Sequence, residues 1–272
     1  VSLVPTARTV QDTVHYDFEN FELEAREHKY YIWHDELADG TFGNNWATGN
    51  AGYRMSMGNS PADQYPSVPL ADGYDGYGVR LTTLSTGPFG VMANMRLAAG
   101  NFFLGRFDVG SALTDAMKAT CMGIPFDRKP LKLQGYYKYT PGKVYQDKDA
   151  KPVEGKTDAA DIYAVFYRNA ETVTTADGKT ETRQVMLHGE DTKTNPNIVA
   201  IAQVAYVKPT TEWTLFDVTF DYTGDVDPDV LLSRGYNLAI VFSSSVDGNH
   251  FQGAIGSQLC IDKVSVVCEK EE

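Results

Sequence analysis

The chain has 272 residues, with 24 Lys and Arg against 36 Asp and Glu, which gives a net charge of −12 at pH 7. This acidic balance argues against a nucleic-acid partner and against an anionic membrane surface, because no basic stripe is present to neutralise phosphates. The longest apolar runs, such as Val199–Val207, are about half of the roughly 20 residues that a membrane-spanning helix requires.

Eight segments along the chain carry the pattern of β-strands. Residues 1–12 show no alternation and are predicted to be a linker or tail. The segments that follow either alternate apolar and polar residues or are apolar on both faces, with Gly, Pro and Asp between them. They are Thr13–Phe18, Gly78–Thr83, Asn101–Phe107, Leu131–Tyr139, Ile162–Tyr167, Trp213–Tyr222, Tyr236–Phe242 and Leu259–Val267.

Turn signals and two short helices connect these strands. Asp177-Gly178 predicts a tight hairpin, and Asp247-Gly248-Asn249 predicts a similar turn after the strand that begins at Tyr236. The predicted helices are Ser111–Thr120, with Ser111 as N-cap, and Asp227–Arg234, in which Pro228 opens the helix. We regard both helices as short connectors.

The strand spacing predicts the fold class. No composition break, repeat or low-complexity tract divides the chain, so residues 13–272 are predicted to form a single domain. Many short strands over this length favour an all-β, two-sheet antiparallel β-sandwich of the jelly-roll type with a few short connector helices.

The three cysteines do not indicate a disulfide framework or a zinc site. Cys260 and Cys268 are too far apart along one predicted strand to bridge each other, and no CxxC or paired-His spacing occurs. We expect Cys121, Cys260 and Cys268 to be free and mostly buried.

Aromatic residues interleaved with polar ones point to a sugar ligand. Sugars present flat C–H faces that stack on Trp and Tyr, and hydroxyl rims that pair with polar side chains. We expect Trp46 and Tyr136 to stack on a sugar ring, with core packing as the alternative for each aromatic residue. Polar partners would be Asn50, Arg80, Lys138 and, at the rim, His250; Lys138 or Arg80 would favour an acidic sugar.

The sequence carries no catalytic motif of a known spacing. It lacks the ExDxxE strand of many jelly-roll hydrolases, a GxSxG elbow, a Walker A loop and a His cluster. A glycosidase pair would have to come from separate strands, and Asp161 and Asp217 are the candidates because a buried Asp there would have a raised pKa. The alternative is that each caps a strand or pairs with a cation.

Two acidic segments raise the question of a metal. Asp225–Asp229 starts like an EF-hand loop but lacks its Gly and its closing Glu, so it is predicted to be a solvated turn. Glu19 and Asp262 lie near the first and last strands, which pair in jelly rolls, and could share a structural calcium ion. Simple surface exposure is the alternative, and no other cofactor is indicated.

Several longer motifs resemble one family. They include Gly123-Ile-Pro-Phe126, Leu133-Gln-Gly-Tyr-Tyr-Lys-Tyr139, Trp46-Ala-Thr-Gly-Asn50, Phe242-Ser-Ser-Ser245 and Leu259-Cys-Ile-Asp-Lys263. Together they span about Val14 to Val267 and resemble the PCMD family, the putative carbohydrate metabolism domain. One departure is Cys260, where the family usually has an aromatic or aliphatic residue.

The resemblance implies a jelly roll similar to carbohydrate-binding modules and to sandwich domains of glycoside hydrolases, with a sugar pocket on the jelly-roll face. Such proteins occur in Gram-negative gut anaerobes, often as lipoproteins behind an immunoglobulin-like N-terminal domain. The expected location is therefore the periplasm or cell surface, with a lipid anchor in the full-length precursor. The resemblance implies no established catalytic activity.

Three functions are consistent with the sequence. The leading hypothesis is an extracytoplasmic glycan-binding protein that captures an oligo- or polysaccharide. The second is a glycoside hydrolase or lyase that uses dispersed carboxylates. The third is a surface structural or adhesion protein, which predicts a flat sandwich without a pocket and a free edge strand.

Overall fold

A computed structural model describes residues 10–36, 42–112 and 115–270. Its strands are β1 (Val10–Tyr16), β2 (Phe21–Leu23), β3 (Tyr31–Trp33), β4 (Asp35–Glu36), β5 (Phe42–Gly43), β6 (Trp46–Ala47), β7 (Ser67–Leu70), β8 (Gly78–Thr82), β9 (Leu84–Ser85), β10 (Leu97–Ala98), β11 (Asn101–Phe107), β12 (Thr120–Met122), β13 (Ile124–Pro125), β14 (Lys129–Thr140), β15 (Tyr145–Gln146), β16 (Asp161–Arg168), β17 (Ala170–Thr174), β18 (Thr180–Gln184), β19 (Ile198–Gln203), β20 (Thr210–Thr219), β21 (Asp221–Tyr222), β22 (Tyr236–Ser243), β23 (Gly253–Ala254) and β24 (Gln258–Lys270).

The helices are few and short. They are α1 (Asn50–Met57), α2 (Gly87–Met92), α3 (Ala116–Ala119) and α4 (Pro228–Leu232), with 3₁₀ turns at Ala62–Gln64 and Gly248–His250. Within the described ranges, none of these helices has the length and apolar character needed to cross a membrane.

One antiparallel sheet has six strands in the order β20-β14-β24-β8-β7, and β1 also pairs with β24. The last strand is long enough to take β8 along its first half and β1 along its second half. The first and last strands therefore pair, as expected for a jelly roll. Because β1 begins at Val10, the prediction of a linker over residues 1–12 is wrong for residues 10–12; residues 1–9 lie outside the described residues.

The second sheet has eight strands in the order β12-β11-β22-β16-β19-β21, with β13 paired to β22 and β6 paired to β11. Its central strands β16 and β22 are buried along almost their whole length, which explains why their sequences are apolar on both faces. The segments 162–167 and 236–242 are thus confirmed as central strands.

The main core lies between the two sheets. Ile162, Ala164 and Phe166 of β16 pack in one cluster with residues of the six-stranded sheet such as Leu133 and Ile261. Apolar side chains from both inner faces interdigitate in this way in a two-sheet sandwich. The fold is an all-β sandwich of the jelly-roll type, as the sequence predicts.

The outer face of the eight-stranded sheet is also partly covered. Tyr163, Val165 and Tyr167 form a second buried cluster beneath Val185 and Leu187, which follow the β17–β18 hairpin. That hairpin turns at Asp177-Gly178, as predicted. This cover ends near the start of β16, and the sheet surface beyond it opens into a cleft.

Two local predictions are wrong. Asp247–Asn249 does not form a strand hairpin, because residues 248–250 form a 3₁₀ turn and the next strand, β23, pairs with β15. The helix expected at Ser111–Thr120 is only α3, capped by Asp115, whose side chain accepts a hydrogen bond from the Lys118 N–H; residues 113–114 lie outside the described residues.

Other predictions are confirmed. All three cysteines are free and buried. Asp227 caps α4 by accepting hydrogen bonds from the N–H groups of Asp229 and Val230, so the acidic segment there serves as a helix start.

Candidate functional site

A cleft of about 410 Å³ lies on the outer face of the eight-stranded sheet. Its floor consists of side chains that alternate outward from neighbouring strands, among them Asp161 and Tyr163 of β16 and Val241 and Ser243 of β22. This volume is in the range of small-molecule pockets in proteins. A flat sandwich without a pocket, the prediction for a structural protein, is therefore not what the chain forms.

Helices α1 and α2 supply one wall of the cleft. Local signals for either helix are weak, since both start without a side-chain cap and α2 begins with Gly87-Pro88, a common turn signal. The start of α1 is held by tertiary contact, because the Gly49 N–H donates to Asn101 Oδ1 at 2.6 Å. Packing on the sheet, and not local propensity, thus forms this wall.

An ion pair lies on the floor of the cleft. Lys193 Nζ is 2.7 Å from Asp161 Oδ2, and Gln203 Nε2 donates to Asp161 Oδ1 at 3.3 Å. The Asp161 side chain is 9% exposed and that of Lys193 is 30% exposed. The pair therefore presents an ammonium group and a carboxylate to any molecule that enters the cleft.

An aromatic ring supports this pair. Lys193 Nζ lies 4.2 Å from the centre of the Tyr163 ring, and the Tyr163 hydroxyl donates to Thr192 Oγ1 at 3.0 Å. Burial raises the pKa of Tyr163 well above its ordinary value. The phenol therefore stays neutral. The loop that carries Thr192 and Lys193 is fixed to the sheet at two points, the Thr192–Tyr163 hydrogen bond and the Lys193–Asp161 ion pair.

The segment 245–251 also lines the cleft, and its own hydrogen bonds hold it in place. Asp247 Oδ2 accepts hydrogen bonds from the Tyr145 hydroxyl at 2.6 Å and from Lys156 Nζ at 2.9 Å. Burial alone would raise the Asp247 pKa, but these hydrogen bonds and the Lys156 charge lower it below its ordinary value. Asn249 Nδ2 donates to the Gly189 carbonyl at 3.1 Å and so joins this segment to the loop that carries Thr192 and Lys193.

The rim mixes polar and apolar groups. Glu190 and His250 are exposed and both line the cleft. Phe251, in the left-handed backbone region with φ of 58°, also lines it, and Phe89 on α2 is 47% exposed. The cleft thus offers aromatic surface beside hydrogen-bonding groups.

Trp46 and Asn50 do not belong to an accessible site, and their predicted contacts with sugar are wrong. The Trp46 ring is 4% exposed and stacks on Phe102 at 4.4 Å, because β6 pairs with β11 and turns the indole into the core. Asn50 is fully buried, and its amide bonds the backbone N–H and carbonyl of Ser67.

Three other predicted residues lie together but far from the cleft. Arg80, Tyr136 and Lys138 point to the outer face of the six-stranded sheet, since their neighbours in sequence are buried in the core. His250 lines the cleft on the other sheet. The six predicted sugar-binding residues are thus divided among the core and two opposite surfaces.

The predicted carboxylate pair is not a pair. Asp161 lies on the cleft floor, whereas Asp217 is exposed on the outer face of the six-stranded sheet and bonds Lys132 Nζ at 3.2 Å. The apolar residues that flank Asp217 face the core, and the strand alternation turns its own side chain to solvent.

Glu19 and Asp262 both accept hydrogen bonds from one turn, residues 73–77. The Tyr77 N–H donates to the Glu19 carboxylate at 3.1 Å, and the Asp75 N–H donates to Asp262 Oδ2 at 3.0 Å. Lys263 Nζ lies 4.0 Å from Glu19 and 3.3 Å from Asp75, so a cation of the chain itself offsets part of the negative charge at this turn. No cluster of three or more metal-ligating side chains occurs in the part of the chain that the structure describes.

Residues 17–267 match the family described as the putative carbohydrate metabolism domain. The chain belongs to this family. The match covers nearly the whole chain and includes both sheets and the cleft, so the carbohydrate-related character of the family applies to the fold described here.

Two solved structures are similar to this member of the putative carbohydrate metabolism domain family. One, named a putative glycoside hydrolase from Bacteroides thetaiotaomicron, is 41% identical with a TM-score of 0.84, over 94% of this chain and 71% of that chain. Another, named a putative glycoside hydrolase from Bacteroides vulgatus, is 34% identical with a TM-score of 0.82, over 94% of this chain and 98% of that chain. Comparison with curated proteins gave no match.

The chemistry available in the cleft of this family member follows from its charged side chains. Asp161 and Lys193 can accept and donate hydrogen bonds on the floor, and Glu190 is a second carboxylate without a tight partner in the described residues. Asp247 is engaged by Tyr145 and Lys156. The sequence signal for this site was limited to Asp161 and His250, because its other groups come from loops with no motif.

Proposed function

We propose that the protein binds a carbohydrate in the cleft on the outer face of the eight-stranded sheet. The observation that carries this proposal is the Asp161–Lys193 pair on the floor of a cleft with aromatic walls. Sugar hydroxyls both donate and accept, so a carboxylate beside an ammonium group matches them. Phe89 and Phe251 at the rim offer ring surfaces for C–H faces.

The charge of the lining favours a neutral sugar. Asp161 is paired with Lys193 and Asp247 with Lys156, which leaves Glu190 as a lining carboxylate with no ion-pair partner in the described residues. An acidic sugar would meet repulsion from Glu190, and Arg80 and Lys138, which could attract it, lie on the opposite surface. Contacts of this kind exchange water hydrogen bonds for protein ones, so the expected affinity is micromolar to millimolar.

Calorimetry with a panel of neutral oligosaccharides tests the proposal. Asp161→Asn should weaken binding about tenfold, because a charge-assisted hydrogen bond is lost. Asp217→Asn is the matched control, since it removes the same charge from another Asp–Lys pair on the opposite face. His250→Ala and Glu190→Gln are exposed variants that leave the floor intact. No binding by the wild type, or equal loss in Asp217→Asn, would contradict the proposal.

A second candidate function is glycoside hydrolysis. Asp161 and Glu190 line the same cleft, and a glycosidase needs two carboxylates about 5–9.5 Å apart across the scissile bond. The two similar solved structures carry the name of putative glycoside hydrolases. Release of reducing ends that is abolished by Glu190→Gln and by Asp161→Asn, but not by Asp217→Asn, would establish hydrolysis. Binding without release would leave capture as the function.

We also propose that capture takes place outside the cytoplasm, at the periplasm or cell surface. This proposal is based on the family resemblance and on the size of polysaccharides, which a protein encounters outside the cell. Fractionation of cells that express the full-length precursor tests it, and recovery in the cytoplasmic fraction would contradict it.

A further inference from the structure

A second surface with sugar-like chemistry lies on the outer face of the six-stranded sheet. Tyr74 stacks on Tyr136 with ring centres 3.7 Å apart and an angle of 8° between the planes. One face of Tyr136 is thereby covered, while Tyr74 remains 47% exposed. The stacked pair therefore presents an aromatic surface to solvent.

Trp213 stands beside this pair. Its ring lies 6.4 Å from that of Tyr74 at an angle of 82°, and Lys138 Nζ is 4.8 Å from the Trp213 ring centre. The rings thus form a corner with Lys138 next to it. We call Tyr74, Tyr136, Trp213, Lys138 and Arg80 the platform.

The turn that presents Tyr74 is held in place from below. Asp262 is fully buried, and one of its oxygens accepts the Asp75 N–H, while Glu19 accepts the Tyr77 N–H. Gly76 has φ of 81°, and a Cβ there would come within 2.1 Å of Glu19 Oε1. The two carboxylates and the glycine therefore fix the turn, which lowers the conformational entropy lost when a ligand stacks on it.

The platform also carries cations that lack a carboxylate partner. Arg80 and Lys138 both lie opposite Cys260, on either side of β24, so their Cα atoms are about 10 Å apart. Within the described ranges neither has a carboxylate oxygen within 4.0 Å; Arg80 donates one hydrogen bond, to the Asp63 carbonyl. Asp75, next to Tyr74 on the turn, is paired with Lys263, so the positive charge of Arg80 and Lys138 remains available to an anionic ligand.

We propose that the platform binds an acidic polysaccharide chain, separately from the ligand of the cleft. Sugar rings stack on Tyr74 and Trp213, and carboxylates of the same chain pair with Arg80 and Lys138. The cleft lies on the other sheet, so both surfaces can be occupied at the same time. The platform holds a long polymer while the cleft engages a neutral portion of it or a separate chain.

Affinity electrophoresis in gels that contain polygalacturonate tests this inference. The wild type should be retarded, and Tyr74→Ala and the double variant Arg80→Gln with Lys138→Gln should each weaken binding about tenfold. Lys132→Gln is the matched control, since Lys132 is a cation of the same sheet that already pairs with Asp217. Asp161→Asn, which alters only the cleft, should bind polygalacturonate like the wild type.

Three outcomes would overturn the inference. The first is no retardation of the wild type by polygalacturonate. The second is equal binding to polyglutamate, which would make the surface a general anion site. The third is a loss in Lys132→Gln as large as in the double variant. Polygalacturonate tests the platform, and neutral oligosaccharides test the cleft. Because the two probes differ, either proposal can fail without affecting the test of the other.

Discussion

Lys193 Nζ lies 2.7 Å from Asp161 Oδ2 on the floor of the cleft. On the opposite surface, Lys132 and Asp217 make a pair of the same composition at 3.2 Å. The two pairs differ in exposure, since the Asp161 side chain is 9% exposed and that of Asp217 is 35% exposed. This contrast allows a direct comparison of a shielded and a solvated ion pair within one protein.

We predict that Asp161→Asn destabilises the protein more than Asp217→Asn does. Removal of one partner leaves the partly buried Lys193 charge uncompensated, at a cost of about 1–3 kcal/mol once its 30% exposure is taken into account. Loss of the solvated pair should cost no more than about 0.5–1 kcal/mol. Urea denaturation at pH 7 measures both values, and equal effects would show that the Asp161 pair is fully screened.

A second prediction concerns Trp46. Because its ring is buried and stacked on Phe102, Trp46→Ala should lower the free energy of unfolding by about 3–5 kcal/mol. Trp46→Phe should cost less and should leave carbohydrate affinity unchanged, as measured by calorimetry on the folded variant. A stable Trp46→Phe protein with weakened sugar binding would restore the sequence-based hypothesis that Trp46 stacks on a sugar.

Trp46 also shows where sequence reasoning reaches its limit. A Trp in an amide-rich loop has the local pattern of a ligand contact. Its burial in the core, however, results from strand pairing with Leu104, more than 50 residues further on. By contrast, Leu131–Tyr139 and Ile162–Tyr167 are correctly predicted as strands, because the alternation of the first and the apolar character of both faces of the second are local properties of the sequence.

The cleft was largely beyond prediction for the same reason. Asp161 and Lys193 come from a strand and a loop 32 residues apart, and helix α1 forms without a cap or a clear apolar stripe. Asp161 was found because an Asp at the start of an apolar strand is unusual. Glu190 had no such signal, since in the sequence it is one acidic residue of a polar loop.

A third prediction concerns calcium at Glu19 and Asp262. Since both carboxylates accept hydrogen bonds from the turn Gly73–Tyr77 and Lys263 supplies the positive charge, calcium added to chelator-treated protein should leave the thermal midpoint unchanged. Glu19→Gln should cost about 1 kcal/mol, because a charge-assisted hydrogen bond is weakened. A calcium-dependent rise in the midpoint that Glu19→Gln abolishes would establish a metal site instead.

A fourth prediction concerns Asp35, whose pKa burial raises from 3.8 to about 6; the nearby Trp46 and Asn45 side chains offset this only in part. Between pH 4 and pH 6 the folded state holds a proton on Asp35 that the unfolded state has released. The stability that Asp35 contributes to the folded state is therefore fully present below about pH 4 and is lost as the pH rises through 6.

Asp35→Asn removes this titration. The variant should match the wild type at pH 4 and should be more stable at pH 8 by about 1–3 kcal/mol, since each unit of pKa shift corresponds to about 1.4 kcal/mol and the amide keeps part of the cost of burial. Urea denaturation at both pH values measures the difference. A constant offset for Asp35→Asn across this range would show that the carboxyl is solvated and titrates normally.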